Sequence, residues 1–235
     1  MTRLAIALFC VSLLSSNALA RNCQYRKGEK RWDIKTTVQS LDAIQSTRKV
    51  DLASLIALGN PPMTKNEIKS IEKTLWSGSV TVKDENGNVI ELHEGDIITV
   101  TGYVYRARCQ QDGDFHVAIG AGKTRKSQCL IVEVPDPEQI EDAQLKDLVT
   151  GARDALARMD SSVYQSYPKK NPVQATVTGQ LFLDAPHYRK SDASGGRGSL
   201  LASKRHCAST FGRFTRSRRL SSPLGILVFT MSALL

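Results

Sequence analysis

The chain has no Cys-x-x-Cys pair and no closely spaced histidine pair, which argues against a structural zinc site. It has no apolar run of the length a membrane-spanning helix needs. The apolar stretches at residues 4–14 and 224–235 are both too short. No complete catalytic motif occurs. Gly120-Ala121-Gly122-Lys123-Thr124 resembles the end of a phosphate-binding loop, but Val117 stands where the full motif needs glycine. Residues 128–134 read as a strand where that motif needs a helix, so a basic β-turn is expected here.

Excess charge of one sign is missing from the part expected to fold. The net charge is +9, yet residues 188–235 hold nine Lys/Arg against the single acid Asp192. With Arg3 in the leader, residues 21–187 carry 22 basic and 22 acidic side chains of the chain's 32 and 23. A nucleic-acid groove would need local clustering, such as Lys123, Arg125 and Lys126, or the tail itself.

What is present begins with an export signal. Arg3 gives a positive start, residues 4–14 an apolar region, and Ala18-Leu19-Ala20 a cleavage signal. The expected mature N-terminus is Arg21. Arg21-Asn22 precede Cys23 where a lipid-attachment signal needs small residues, so lipidation is not expected. A periplasmic or extracellular protein follows. Cys23, Cys109, Cys129 and Cys207 remain, and four cysteines permit two disulfides in three connectivities. Cys109 ends one expected strand and Cys129 begins another, which makes them the candidate pair.

The strongest internal signal is a repeated strand–Gly–strand pattern, Thr99-Val100-Thr101-Gly102 and Thr176-Val177-Thr178-Gly179. Upstream, Asp51 caps a helix that runs through Ala57, and Thr64 with Glu67 forms a capping box. Asn86-Gly87 joins strands at residues 79–83 and 89–92 as a hairpin. Residues 97–108 form one long strand, whose central Gly102 permits a bend or bulge. Strands at 115–119 and 129–134 follow. Asp136-Pro137 then opens a helix with Ile140, Leu145, Leu148, Val149, Ala152, Leu156 and Met159 on its apolar face. Residues 174–183 form a fourth strand.

The expected class is mainly β with helices (α+β). Its centre is an OB-like small barrel with an inserted helix, flanked by an N-terminal helical arm and a disordered basic C-terminal tail. The boundaries are 1–20 for the signal, 21–76 for the arm, 77–187 for the barrel and 188–235 for the tail. An OB barrel needs a fifth strand, and no good candidate is read after His187.

Two groups of residues carry candidate chemistry. Tyr103 and Tyr105 share a strand face and Phe182 is placed near them; with Lys123, Arg125 and Lys126 they form a candidate ligand surface. Asp114, His116, Glu133, Asp184 and His187 form a candidate divalent-metal set, since carboxylates and imidazoles bind metals and transfer protons. No catalytic residue and no cofactor are otherwise assigned.

Arg31-Trp32-Asp33-Ile34-Lys35-Thr36, Glu94-Gly95-Asp96, Gly102-Tyr103, Asp112-Gly113-Asp114-Phe115-His116, Ile131-Val132-Glu133-Val134-Pro135 and Gly179-Gln180-Leu181-Phe182-Leu183-Asp184 together resemble a family of uncharacterised secreted bacterial proteins with OB-like domains. The resemblance spans residues 31–190 and implies location and fold rather than an activity. Its usual closing strand, with a Glu-x-His-Pro motif, is replaced here by Lys204-Arg205-His206-Cys207 and the basic tail. The leading expectation is an exported OB-like binding protein without catalysis, for a polyanion, an oligosaccharide or a protein. The alternatives are a metal-dependent phosphodiester hydrolase and an envelope protein attached through its tail.

Overall fold

The computed structural model describes residues 44, 46–58, 64–70, 74–110, 112–124, 127–159, 171–183 and 224–233. The leader, Cys23, Cys207, Arg125, Lys126, Asp184 and His187 lie outside them. The fold is mainly β with helices, as expected.

Strand β1 (Arg48–Lys49) leads into helix α1 (Leu52–Ala57). Asp51 caps α1 by accepting from the Ala53 and Ser54 amides. Helix α2 (Lys65–Ser70) begins with the expected capping box, in which Glu67 N–H donates to Thr64 Oγ1 and Thr64 N–H to Glu67. Strands β2 (Ser79–Lys83) and β3 (Val89–His93) pair about Asn86-Gly87, where Gly87 takes a φ of 85°.

The main sheet is mixed. Strand β4 (Ile97–Cys109) pairs β5 (Phe115–Gly120), and β5 pairs β6 (Cys129–Val134), all antiparallel. The first part of β4 also pairs β7 (Val173–Leu183), so one long strand serves two neighbours that overlap at Tyr103 and Val104. The break in register falls between Val104 and Arg106, three residues past the expected bend. Before it the even residues Ile98, Val100 and Val104 face the core; after it Ala107 does. The extra residue at Tyr105 resets the alternation. Gly102 answers a different need, because a Cβ there would overlap Leu52 of α1 and lie 2.8 Å from Ile119.

Two expectations need correction. The expected helix at Asp136 is a short 3-10 turn, Pro137–Gln139, with Asp136 as its cap. Ile140 is extended and buried, and helix α3 (Ala143–Arg158) starts afresh with Asp142 accepting from the Leu145 amide at 2.7 Å. Two capping aspartates six positions apart allow two starts, and burial of Ile140 decides for the second. Leu145, Val149, Ala152 and Leu156 then pack inward as the periodicity requires.

The expectation of a disordered tail fails at residues 224–233, which form a strand. Strand β8 (Leu224–Ala233) pairs β7 antiparallel over nine positions and β6 in parallel at Ile131, Val132 and Glu133. A strand held between two neighbours reads as a continuous apolar run without alternation. Forty residues separate Leu183 from Leu224, although the two face each other across the β7–β8 pair. Residues of the predicted arm also join the core, since Val50, Leu52 and Leu55 pack into the same apolar cluster as the sheet and α3.

Candidate functional site

The outward face of β4, β5 and β6 is built in cross-strand rows. Arg108, His116 and Glu133 stand opposite one another, and Arg106, Ala118 and Ile131 form the next row. The third is Tyr103, Gly120 and Cys129. Register alone therefore brings two arginines, a histidine, a glutamate and a tyrosine onto one surface.

His116 Nε2 lies 3.3 Å from Glu133 Oε1, with Glu133 almost wholly buried and His116 partly open. Arg106 is buried too, and the loss of solvent holds its guanidinium below the usual arginine range, with the Arg108 charge adding to the shift. Asp114 belongs elsewhere. Its Oδ1 accepts from the Asp136 amide at 3.3 Å, and its own amide donates to Asp112 Oδ1 at 3.2 Å. Among the described residues no three His, Cys, Asp or Glu side chains converge as a metal ion would need.

Asp112-Gly113-Asp114 is instead a structural turn. Gly113 has a φ of 89°, where a side chain would strain the backbone. The turn is locked by Arg153, a residue that the expected apolar face of α3 had omitted. Its Nε donates to the Pro135 carbonyl at 2.7 Å, and its Nη2 donates to the carbonyls of Gly113 and Val134. Its guanidinium also lies over the Phe115 ring, 5.1 Å from the centroid. The signal was available, because Arg153 falls four residues after Val149 and three before Leu156, in phase with the buried stripe.

The aromatic set divides three ways. Tyr103 and Tyr105 share a face as expected. Tyr105 is buried, and its one hydroxyl hydrogen is shared between the Gly122 and Thr124 carbonyls, each 2.6 Å from the oxygen, which braces the β5–β6 loop. Burial pushes its phenol above the usual tyrosine range. Tyr103 is half open, and the Lys123 ammonium sits 5.5 Å from its ring centroid. Phe182 corrects the expectation. It is core, 2% exposed. Tyr103 pairs with Gln174, so Phe182 lies eight residues along β7, about 26 Å at strand spacing.

Residues 121–124 are bends, and among the described residues that follow, the chain enters strand β6 rather than a helix. The candidate cysteine pair is overturned by register. Cys109 faces Phe115 and Cys129 faces Gly120, at opposite ends of β5. Five strand steps span about 16 Å, whereas bridged cysteines keep their Cα atoms within about 7 Å.

No family model, curated protein or solved structure matches this chain.

Proposed function

We propose that the chain is an exported binding module with an OB-like barrel that acts without catalysis. The observation that carries this reading is the order of strand pairing. It runs from β4 to β5 to β6, on to a parallel β8, to β7, and back to β4. A long first strand shared by two neighbours, a helix between the third and fourth strands, and a last strand beside the third are the features an OB barrel needs. Such barrels present a sheet face to oligomeric ligands, and on the face of β4, β5 and β6 Tyr103, Arg108 and His116 are at least partly open.

Export rests on the leader-like N-terminus and on the cysteines. In this reading Cys109 and Cys129 are both disulfide-bonded, which suits an oxidising compartment. Among the described residues no helix is long and apolar enough to cross a membrane. The resemblance to secreted bacterial proteins with OB-like domains points the same way.

The test sets binding against turnover. The protein is incubated with Mn²⁺ or Zn²⁺ and a chromogenic phosphodiester, beside its His116→Ala variant. The expected rates are those of the buffer for both. Metal-dependent hydrolysis lost in His116→Ala overturns the binding reading. In parallel, heparin, polyphosphate and neutral hexasaccharides are screened by thermal shift. One class is expected to raise the melting temperature, because a ligand at a hundred times its Kd stabilises the folded state by about 2.7 kcal/mol.

A further inference from the structure

The repeated Thr-Val-Thr-Gly segment finds its meaning in β4 and β7. The structure lays the copies against each other, with Thr99 opposite Thr178 and Thr101 opposite Thr176. Val100 and Val177 turn into the core, so strand alternation puts the threonines on the other face. Their hydroxyls meet across the strands: Thr47 to Thr99 at 2.7 Å, Thr99 to Thr178 at 2.8 Å, and Thr101 to Thr176 at 3.0 Å.

The strip continues in both directions. One row onward, Tyr103 stands opposite Gln174, with Lys123 over the tyrosine ring. One row back, Gln180 stands opposite Ile97 on the same face of β7 as Thr178. Gln180 is 2% exposed, and its Oε1 accepts no hydrogen bond among the described residues. Thr101 and Lys123 are exposed, and Thr99, Thr176 and Gln174 are half-buried.

The chemistry of this strip is unlike that of the neighbouring arginine rows. It holds hydroxyls, amides, one aromatic ring and, at its end, one ammonium. A hydroxyl has one hydrogen and two lone pairs. The two contacts within the Thr47–Thr99–Thr178 row use two of its three hydrogens, which leaves acceptors in excess. Gln180 adds a buried side-chain carbonyl that accepts no hydrogen bond among the described residues. Phosphates and carboxylates bring more acceptors and negative charge, so they match poorly. A polyol brings many donors, little charge, and an apolar ring face that stacks on an aromatic.

We propose that this strip binds an extended neutral oligosaccharide, with Tyr103 as the stacking platform and the threonine rows as the hydrogen-bonding floor. This names the ligand class of the binding module and rests on that reading.

The test is an amide-detected NMR titration of the full chain with cellohexaose, chitohexaose and maltohexaose. At least one should shift the amides of residues 99–103 and 174–178. Its affinity should hold from about 50 to about 500 mM salt, because neutral contacts are not screened. It should weaken at least about tenfold, or 1.4 kcal/mol, in Tyr103→Ala and in the double variant Thr101→Val with Thr176→Val. The double variant keeps side-chain shape, so it guards against a folding defect in the first. No shift at these amides with any hexasaccharide at about 10 mM, far above a useful Kd, overturns the proposal. Salt-sensitive shifts with a heparin hexasaccharide at Arg108 and Lys123 alone also overturn it, yet leave the binding module standing. Metal-dependent turnover, measured separately, is the outcome that removes the module itself.

Discussion

Asp114 and Tyr103 were both legible as candidate site residues, and the structure treats the turn of the one and the strip around the other in opposite ways. At the turn the polar groups are withdrawn from water and committed to backbone. Asp114 is fully buried, and Arg153 is 7% exposed and shared among three carbonyls. Along the strip the threonine hydroxyls are paired with each other and remain at least partly open. Charged residue types in a suggestive order therefore mark scaffold when their lone pairs and hydrogens are spent on main chain. They mark a surface for ligands when that capacity is left over.

The sharpest way to break this comparison is Arg153→Met. The methionine preserves much of the apolar stem but leaves the carbonyls of Gly113, Val134 and Pro135 without their buried donor. Each orphaned group costs on the order of 1–3 kcal/mol, and relaxation recovers part of it, so a loss of roughly 3 kcal/mol is expected. Urea unfolding measures it, as a lower midpoint at an unchanged slope. A variant within about 0.5 kcal/mol of the parent, the range of ordinary surface changes, would return the turn to the list of functional sites.

Much of the architecture could be read before any coordinates, and the failures share a cause. Local chemistry announced the Asp51 cap, the Thr64–Glu67 box and the Asn86-Gly87 hairpin, since each is decided within a few residues. The strands at residues 97–108, 115–119, 129–134 and 174–183 were also recognisable, and β4, β5, β6 and β7 cover them. What could not be read depends on partners distant in sequence. β8 lacks alternation because it lies between two strands, and forty residues hide its link to β7. Tyr105 resets the pleat of β4 only because β5 is its neighbour. Cys109 and Cys129 sat at tempting strand ends, but only register shows that those ends point apart. For the candidate site, Tyr103 and Lys123 were named and do meet, while the threonine rows needed the pairing of two repeats to become a surface.

A smaller effect is expected between the two extremes, at Tyr105→Phe. The hydroxyl bonds two loop carbonyls, and Gly122 and Thr124 lie at an accessible turn where water replaces part of the loss. About 1 kcal/mol is the expected cost. The pH dependence supplies an independent check. Burial raises the phenol pKa in the folded state, so the neutral form is the one that folding favours. Its contribution is complete below the unfolded value of about 10 and fades as pH rises through the folded one. Thermal unfolding from pH 8 to pH 11 should show the parent losing stability more steeply than the phenylalanine variant. Parallel curves would mean that Tyr105 titrates as if exposed.

The smallest effect on stability is expected at the strip, from Thr101→Val with Thr176→Val. Both partners of one hydrogen bond leave together, so no buried group is orphaned, and valine suits a strand as well as threonine does. Thr101 is exposed, and the pair lies on the solvent face of two strands whose Val100 and Val177 supply the packing. The change in unfolding free energy should stay within about 0.5 kcal/mol, the ordinary range for surface substitutions. A cost above about 1 kcal/mol would show that these hydroxyls hold the sheet together, and would class the strip with Arg153 as scaffold. A neutral result separates the two regions by measurement. Threonines that the fold can lose without cost, at matched positions of a repeated motif, are there for what the surface touches.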